Sequence, residues 1–502
     1  MGNRLIRNLR LLLIVCTFGC MPEPDDPHNR DTPGTFAFTG VSVIDGLGSP
    51  ALGDHTVVVQ DGWIETVAPT DAVRLGDIRE IEADGKFLIP GLWDLHAHTF
   101  ATDAVFDLYL AAGVTGVRDM GCSAECAESL SARREARKGN PRKGPRFLMS
   151  GPMLDGDSPY DGYASHLQIT SNDAASAISL LTDLDVDFVK VRDFLSAEEF
   201  DLIAGEAEKA GLKIAGHIPT AVPAARAAAA GLSTVEHEGS LFGGLMLACA
   251  KDEDRLRAEL LRMMRSATVS GDVEALYAQA LGAEFMRRLL DSFDSEKAED
   301  LAQSFLESGV AVVPTLIVQD PRLRASDPVF VGRRLIADKA MQLVPNRIMD
   351  SWRESAATHV LGQAFSEADR AEMARHFALF ADLVGRFHEA GVPILAGTDA
   401  AFPDGTPWVW PGFSLHDELQ LLVEAGLTPA EAIASATGKA TAHLGLEHVG
   451  TIEPGKIADL VLLTADPLAE IGNTREISEV IVDGEFIDLQ ALRARLENLD
   501  ID

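Results

Sequence analysis

A chain of 502 residues, 46% hydrophobic and 24% charged, has the composition of a globular protein. Its length implies one large domain with an accessory domain, or two to three domains. Asp and Glu number 77 against 43 Lys and Arg, a formal net charge of -34 that repels nucleic acid and anionic lipid, so nucleic-acid binding is disfavoured.

In chain order, the first element is MGNRLIRNLR with three arginines, then the apolar run LLLIVCTF, then Gly19-Cys20 ahead of the polar, Pro-rich MPEPDDPHNRDTPG. This is the tripartite shape of an export signal, and the apolar run is too short to span a bilayer as a permanent helix. A small residue followed by Cys at that point resembles a bacterial lipoprotein signal. Residues 1–20 are therefore read as the signal peptide and 21–35 as a disordered linker. Cys20 becomes the lipidated first residue, holding the protein at the periplasmic face of a membrane. The alternative is an ordinary cleaved signal and a soluble periplasmic or secreted protein. Beyond the signal, Cys122 and Cys126 in GCSAEC form either a short loop disulfide or two free thiols, and Cys249 is left over.

Residues 36–90 read as short alternating strands broken by turns: FAFTGVSVIDG, HTVVVQDGWIETVAP and REIEADGKFLIPG. HVGTIEPGKIADLVLLTADP and EISEVIVDGEFI repeat that texture near the other end, so 36–90 and 445–502 are expected to build one accessory β-sandwich from both termini. Between them, over 91–444, apolar strand-like runs alternate with helical ones. The strands are LWDLHAH, VTGVRDM, RFLMSGPM, DFVKVRD, LKIAGHI, LSTVEHE, VAVVPTLIV and VPILAGTDA. Eight strands alternating with helices predict a (β/α)8 TIM barrel. An open doubly wound sheet fits less well, because no Gly-rich phosphate loop follows the first strand. Helical insertions near 245–293 and 319–372 each follow a strand's C-terminal end, the catalytic face of such barrels, and are candidate lids.

His96 and His98 in GLWDLHAHTF project from the same face of a strand, since successive side chains alternate. Two neutral imidazoles side by side are half of a metal site. Lys190 in FVKVRD, His217 in IAGHIP, His237 in VEHEG and Asp399 in AGTDA end other predicted strands, so all would project toward the same mouth.

With these motifs the chain resembles the amidohydrolase superfamily, in particular its binuclear imidazolonepropionase-like and Xaa-Pro dipeptidase-like (prolidase-like) branch. The resemblance also takes in the SLHDELQLLVEAGLTPAEAIASAT run and TIEPGKIADLVLL. It implies that His96, His98 and Asp399 bind the more buried of two divalent metal ions and that His217 and His237 bind the other. Lys190, carboxylated by carbon dioxide, would bridge the two ions. Zinc is the expected metal, because mixed imidazole and carboxylate sites suit it.

A bridging hydroxide would then attack the carbon of a carbon–nitrogen bond, while Asp399 takes the proton and passes it to the leaving nitrogen. Candidate substrate-facing residues are Arg192, which could pair with a carboxylate, with His416, Tyr160, Tyr163 and His166. The expected substrate is a small amide, with a dipeptide or N-acyl amino acid favoured. A cyclic amide, lactone or ester hydrolase is the alternative, and a non-catalytic binding lipoprotein the remote one. A membrane is met only through the Cys20 lipid, and the sequence assigns no oligomeric state.

Overall fold

The computed structural model describes residues 34–138, 140, 144–159, 165–240, 242–318, 343–358, 366–402 and 405–497. The signal segment, Cys20, Tyr160, Tyr163 and much of the 319–372 insertion lie outside the described residues. No helix among the described residues is long and apolar enough to cross a membrane.

Both chain ends build one accessory unit. It holds β1 (Phe36–Val43), β2 (Leu52–Gln60), β3 (Trp63–Pro69), β4 (Arg79–Glu82) and β5 (Phe87–Pro90) from the N-terminal side. The body then contributes β6 (Leu92–His98), β7 (Val114–Asp119), β8 (Arg146–Met149), β9 (Met153–Asp155), β10 (His166–Gln168), β11 (Phe188–Val191), β12 (Lys213–Gly216), β13 (Leu232–Glu236), β14 (Ala311–Val313) and β15 (Ala400–Ala401). The C-terminal strands are β16 (Leu460–Leu463), β17 (Ile477–Val482) and β18 (Glu485–Phe486).

In the accessory unit, β16 runs antiparallel to β5 with Leu460 opposite Pro90 and Leu463 opposite Phe87. That pairing joins the termini into a single sheet ordered β18-β17-β16-β5-β1-β2-β3, with β4 on β1. The described strands are thus hydrogen-bonded into one eight-stranded sheet, which folds back so that Phe486 of β18 meets Phe36 of β1 with ring centroids 4.9 Å apart. Its core gathers Phe36, Phe38, Val57, Leu88, Leu460 and Phe486. The final helix, Leu489–Glu497, lies with the body instead: Arg495 Nη2 donates to Asp107 Oδ1 at 3.0 Å.

The body strands are buried almost throughout, as parallel strands covered on both faces must be, and so read in sequence as near-continuous apolar runs. They pair in parallel as two arcs, β15-β6-β7-β8 and β10-β9-β11-β12-β13-β14, and not as one unbroken ring. Backbone hydrogen bonds continue across the gaps: Asp187 N–H to Met149 O (2.9 Å), Val312 N–H to Pro393 O and Leu395 N–H to Val312 O (both 2.9 Å), and Leu95 N–H to Ala396 O (3.0 Å).

The interruptions have local causes. β14 stops where Pro314 removes a ladder donor. In the expected last strand, the Asp94 carboxylate takes the Thr398 N–H (3.0 Å) and hydroxyl (2.6 Å), and that N–H is shared with His96 O (3.2 Å). RFLMSGPM divides into β8 and β9.

The helices carry their own signals. Ser196 and Glu199 form a reciprocal capping box at the start of Ala197–Ala210, as do Thr428 and Glu431 at Pro429–Ser435. The first insertion holds Glu253–Ser270, Val273–Ala280 and Ala283–Asp291. It covers the strand ends, with Arg257 Nη1 donating to Thr220 O at 2.7 Å and Thr268 Oγ1 to Asp157 O at 3.2 Å.

Close packing gives one sharp stability test. A Cβ on Gly116 of β7 would lie 2.0 Å from Cε2 of the buried Trp93. Gly116→Ala should cost about 3 kcal/mol, the upper part of the range for overpacking. A urea midpoint equal to that of the parent would refute this.

Candidate metal centre

β6 delivers His96 and His98, the segment before β15 delivers Asp399, and the turn after β13 delivers His237. Among the described residues, the ligand atoms of His96, His98 and Asp399 form a group within 4.8 Å of one another. Asp399 Oδ1 lies 3.4 Å from His96 Nε2 and 3.3 Å from His98 Nε2, and its Oδ2 lies 4.0 Å from His237 Nε2. The rings continue as a chain: His96 to His237 is 4.5 Å between centroids and His237 to His217 is 5.3 Å. Lys190 is 1% exposed, and its charge acts on His96, His217 and His237. His96, His98 and Asp399 thus form one cluster of ligand-type atoms, which His237 and His217 extend ring by ring, with Lys190 buried against Gly216 next to His217.

The donor chemistry fits cations. Each imidazole is held at Nδ1, His96 by Glu236 Oε2 (2.7 Å), His217 by Asp193 Oδ2 (2.7 Å), His98 by Gly121 O (2.9 Å) and His237 by Thr315 Oγ1 (2.6 Å). A carboxylate or carbonyl at Nδ1 can only accept, which assigns the proton there and leaves the Nε2 lone pair of His96, His98 and His217 for a metal. His237, Thr315 and Asp399 have φ of 57°, 47° and 56°, so three non-glycine residues at one centre adopt left-handed backbone. Such strain clusters at functional sites.

Electrostatics agree. Burial pulls His96 down to about 4, aided by Lys190. Burial, then His96, holds His237 well below the ordinary range. Both are thus neutral ligands at neutral pH. Burial also opposes the charge of Asp399, but His237, His98 and His96 outweigh it and hold its carboxyl well below the usual range. The Lys190 ammonium is drawn down to about 8 by burial, with Glu236 opposing and Arg192 assisting.

The remaining expectations divide. Arg192 lies just past β11, 3.7 Å from Asp193 Oδ2, and its charge lowers Lys190 and His217. His166 opens β10. Burial, then Arg192 and His98, draws it down to about 3, and its Nδ1 meets Ser165 Oγ at 3.3 Å. His416 is not brought to the mouth. It is buried in the helix Phe413–Glu424, with Nε2 on Ala112 O (3.0 Å) and Nδ1 on Thr474 Oγ1 (2.9 Å), so both nitrogens serve packing between elements. Cys122 and Cys126 are free thiols and not a disulfide.

Several supporting residues escaped the sequence reading. Arg118 of β7 donates to Leu95 O, Thr234 Oγ1 and Glu236 Oε1 at 2.6, 3.0 and 2.7 Å, fixing the carboxylate that orients His96. Asp119 Oδ2 accepts from Thr99 N–H and Oγ1 at 2.8 and 2.7 Å, while its Oδ1 takes the Gly121 N–H at 3.1 Å. Their only visible signal was membership of the motifs VTGVRDM and VEHEG.

Comparisons place this architecture. The sequence profile of the Amidohydrolase family matches residues 374–487. No curated protein matches the chain in sequence. Bottromycin amidohydrolase has a similar structure, with a TM-score of 0.67 at 21% identity over 93% of this chain and 91% of its own. A Xaa-Pro dipeptidase with methionine bound in its active site gives 0.60 at 18% identity over 90% and 99%. Ochratoxinase from A. niger gives 0.60 at 18% identity over 90% and 96%. At these identities the structural likeness speaks for the fold. The profile match over residues 374–487 and the shared fold make the chain similar to the amidohydrolases, a likeness that rests on its C-terminal part in sequence and on nearly its whole length in structure.

Proposed function

We propose that the protein is a binuclear metal-dependent amidohydrolase acting on a small amide, with a dipeptide or N-acyl amino acid as the favoured substrate. The observation that carries this reading is the convergence of four Nδ1-anchored histidines with Asp399 and a buried Lys190. His96, His98 and Asp399 would hold one ion, His217 and His237 the other, and carboxylated Lys190 would bridge them. Zinc is the default occupant of such donors.

When bound, the pair of cations would supply a water nucleophilic at neutral pH and polarise the scissile carbonyl. The chain's own residues do the rest. Asp399, whose carboxyl is held well below the usual range, is the proton acceptor in the attack and the donor to the leaving nitrogen. Glu236 and Asp193 keep the protons of His96 and His217 on Nδ1. Carboxylation requires a neutral amine, and burial draws Lys190 toward that state. Arg192 and His166 are proposed to meet the substrate's polar end.

We further propose, from the sequence alone, that the chain is exported and anchored at the periplasmic face through a lipid on Cys20. The soluble form without its signal, loaded with zinc and bicarbonate, should release amino acids from dipeptides or N-acyl amino acids, read by mass spectrometry. Turnover confined to lactams, lactones or esters would move the substrate to those carbonyls. Lys190→Ala should lower bound zinc from about two equivalents to one and cut kcat/KM at least about 100-fold. Two retained equivalents would overturn the bridging role.

A further inference from the structure

We propose that Phe100 is the floor of a substrate side-chain subsite, receiving an apolar or aromatic side chain on the carbon next to the scissile carbonyl. The proposal deepens the reading above and rests on its metal centre. Phe100 follows His98 by two residues, and its ring stacks on the His98 imidazole with centroids 6.3 Å apart and planes at 24°. Yet the residue is 43% exposed, whereas the six foreseen ligands are buried or half-buried.

The backbone that presents this ring is strained. Phe100 and Ala101 have φ of 46° and 56°, two successive non-glycine residues in left-handed space, which is a genuine outlier for a bulky side chain. Such a turn persists only where its surroundings over-determine it. Here Asp119 clamps Thr99 through two hydrogen bonds of 2.8 and 2.7 Å, and Arg133 Nε donates to Ala101 O at 3.0 Å. Thr102 N–H closes the turn onto Thr99 O at 3.3 Å. A buried carboxylate and an arginine thus hold an aromatic ring out of the core, beside a residue proposed to bind the metal.

A single exposed aromatic is ordinary, but one held by a clamped, strained turn against His98 has a consequence for specificity. A carbonyl held at His98 would bring its neighbouring atoms toward a ring centred 6.3 Å from that imidazole. That ring face offers no hydrogen-bonding group, so the complementary group is apolar or aromatic.

Amino-acid hydroxamates, which chelate metals and carry the side chain beside the chelating carbonyl, test this without turnover. Calorimetry should show the zinc-loaded protein binding phenylalanine hydroxamate more tightly than glycine hydroxamate. Phe100→Ala should shrink that ratio about tenfold and Phe100→Tyr should preserve it, with melting temperature and bound zinc unchanged in both. An unchanged ratio in Phe100→Ala, or an equal loss of affinity for both hydroxamates, would overturn the assignment. A ratio that responds in a protein hydrolysing no amide would instead overturn the reading of the reaction and leave the subsite standing.

Discussion

Asp399→Asn should lower kcat/KM by about three orders of magnitude while the protein stays folded and keeps most of its metal. The carboxylate lies 3.4 and 3.3 Å from the Nε2 atoms of His96 and His98 and 4.0 Å from that of His237. An amide of the same shape still offers an oxygen to a cation, but it neither accepts the proton of the attacking water nor returns one to the leaving nitrogen. The group is also kept ionised by its surroundings, so no ordinary pH deprives the parent enzyme of this base. The expected pattern is a fall in kcat with bound metal, by elemental analysis, within a factor of about two of the parent. Full activity in the variant would end the assignment of Asp399 as the proton carrier, whatever the substrate.

The second large effect concerns the charges beneath His96. Arg118→Leu leaves the Glu236 carboxylate buried without its cation and should destabilise the apoprotein by about 3–5 kcal/mol. Glu236 is 0% exposed and Arg118 2% exposed, so water offers neither a substitute. The same change should weaken zinc binding about 10–100-fold, because the carboxylate that fixes the His96 proton on Nδ1 is released. Replacing both residues, Arg118→Leu with Glu236→Met, separates the two consequences. Removing the buried pair together should restore much of the stability, while zinc affinity stays low because His96 has lost its acceptor. Parallel chemical unfolding and zinc titrations read them apart, and recovery of both quantities in the double variant would refute the orienting role.

The network also has a pH signature. Burial works against the charge on Glu236, but Arg118 and His96 hold its carboxyl well below the ordinary value of 4.5. A depressed folded-state pKa means that the stabilisation is complete above that ordinary value and is withdrawn as the pH falls below it. The apoprotein should therefore lose stability on acidification below about pH 4.5 more steeply than the double variant.

Sequence patterning carried much of the description. Buried parallel strands leave unbroken apolar runs, capping residues announce helices, and Asp-Gly turns announce the accessory strands. The six convergent side chains were legible because strand-end placement and residue type sufficed to group them. The two termini were assigned to one unit because their strand texture repeats.

Other features depended on contacts far apart in the chain. The joining of the two termini's strands turned on the register of β16 against β5, across about 370 residues, which no local pattern encodes. In the last body strand the Thr398 hydroxyl is held by Asp94, 304 positions away. His416 looked like a site residue by type and position, and its burial between Ala112 and Thr474 made it a packing residue. Arg118, Glu236 and Asp119 are common residue types whose roles come from partners brought alongside by folding, and Phe100 gained its role from a backbone conformation. Residue identity and period, then, determined which side chains could serve chemistry here. Tertiary structure decided which of them are oriented to do so, because hydrogen-bond geometry, burial and backbone strain exist only once distant segments have met.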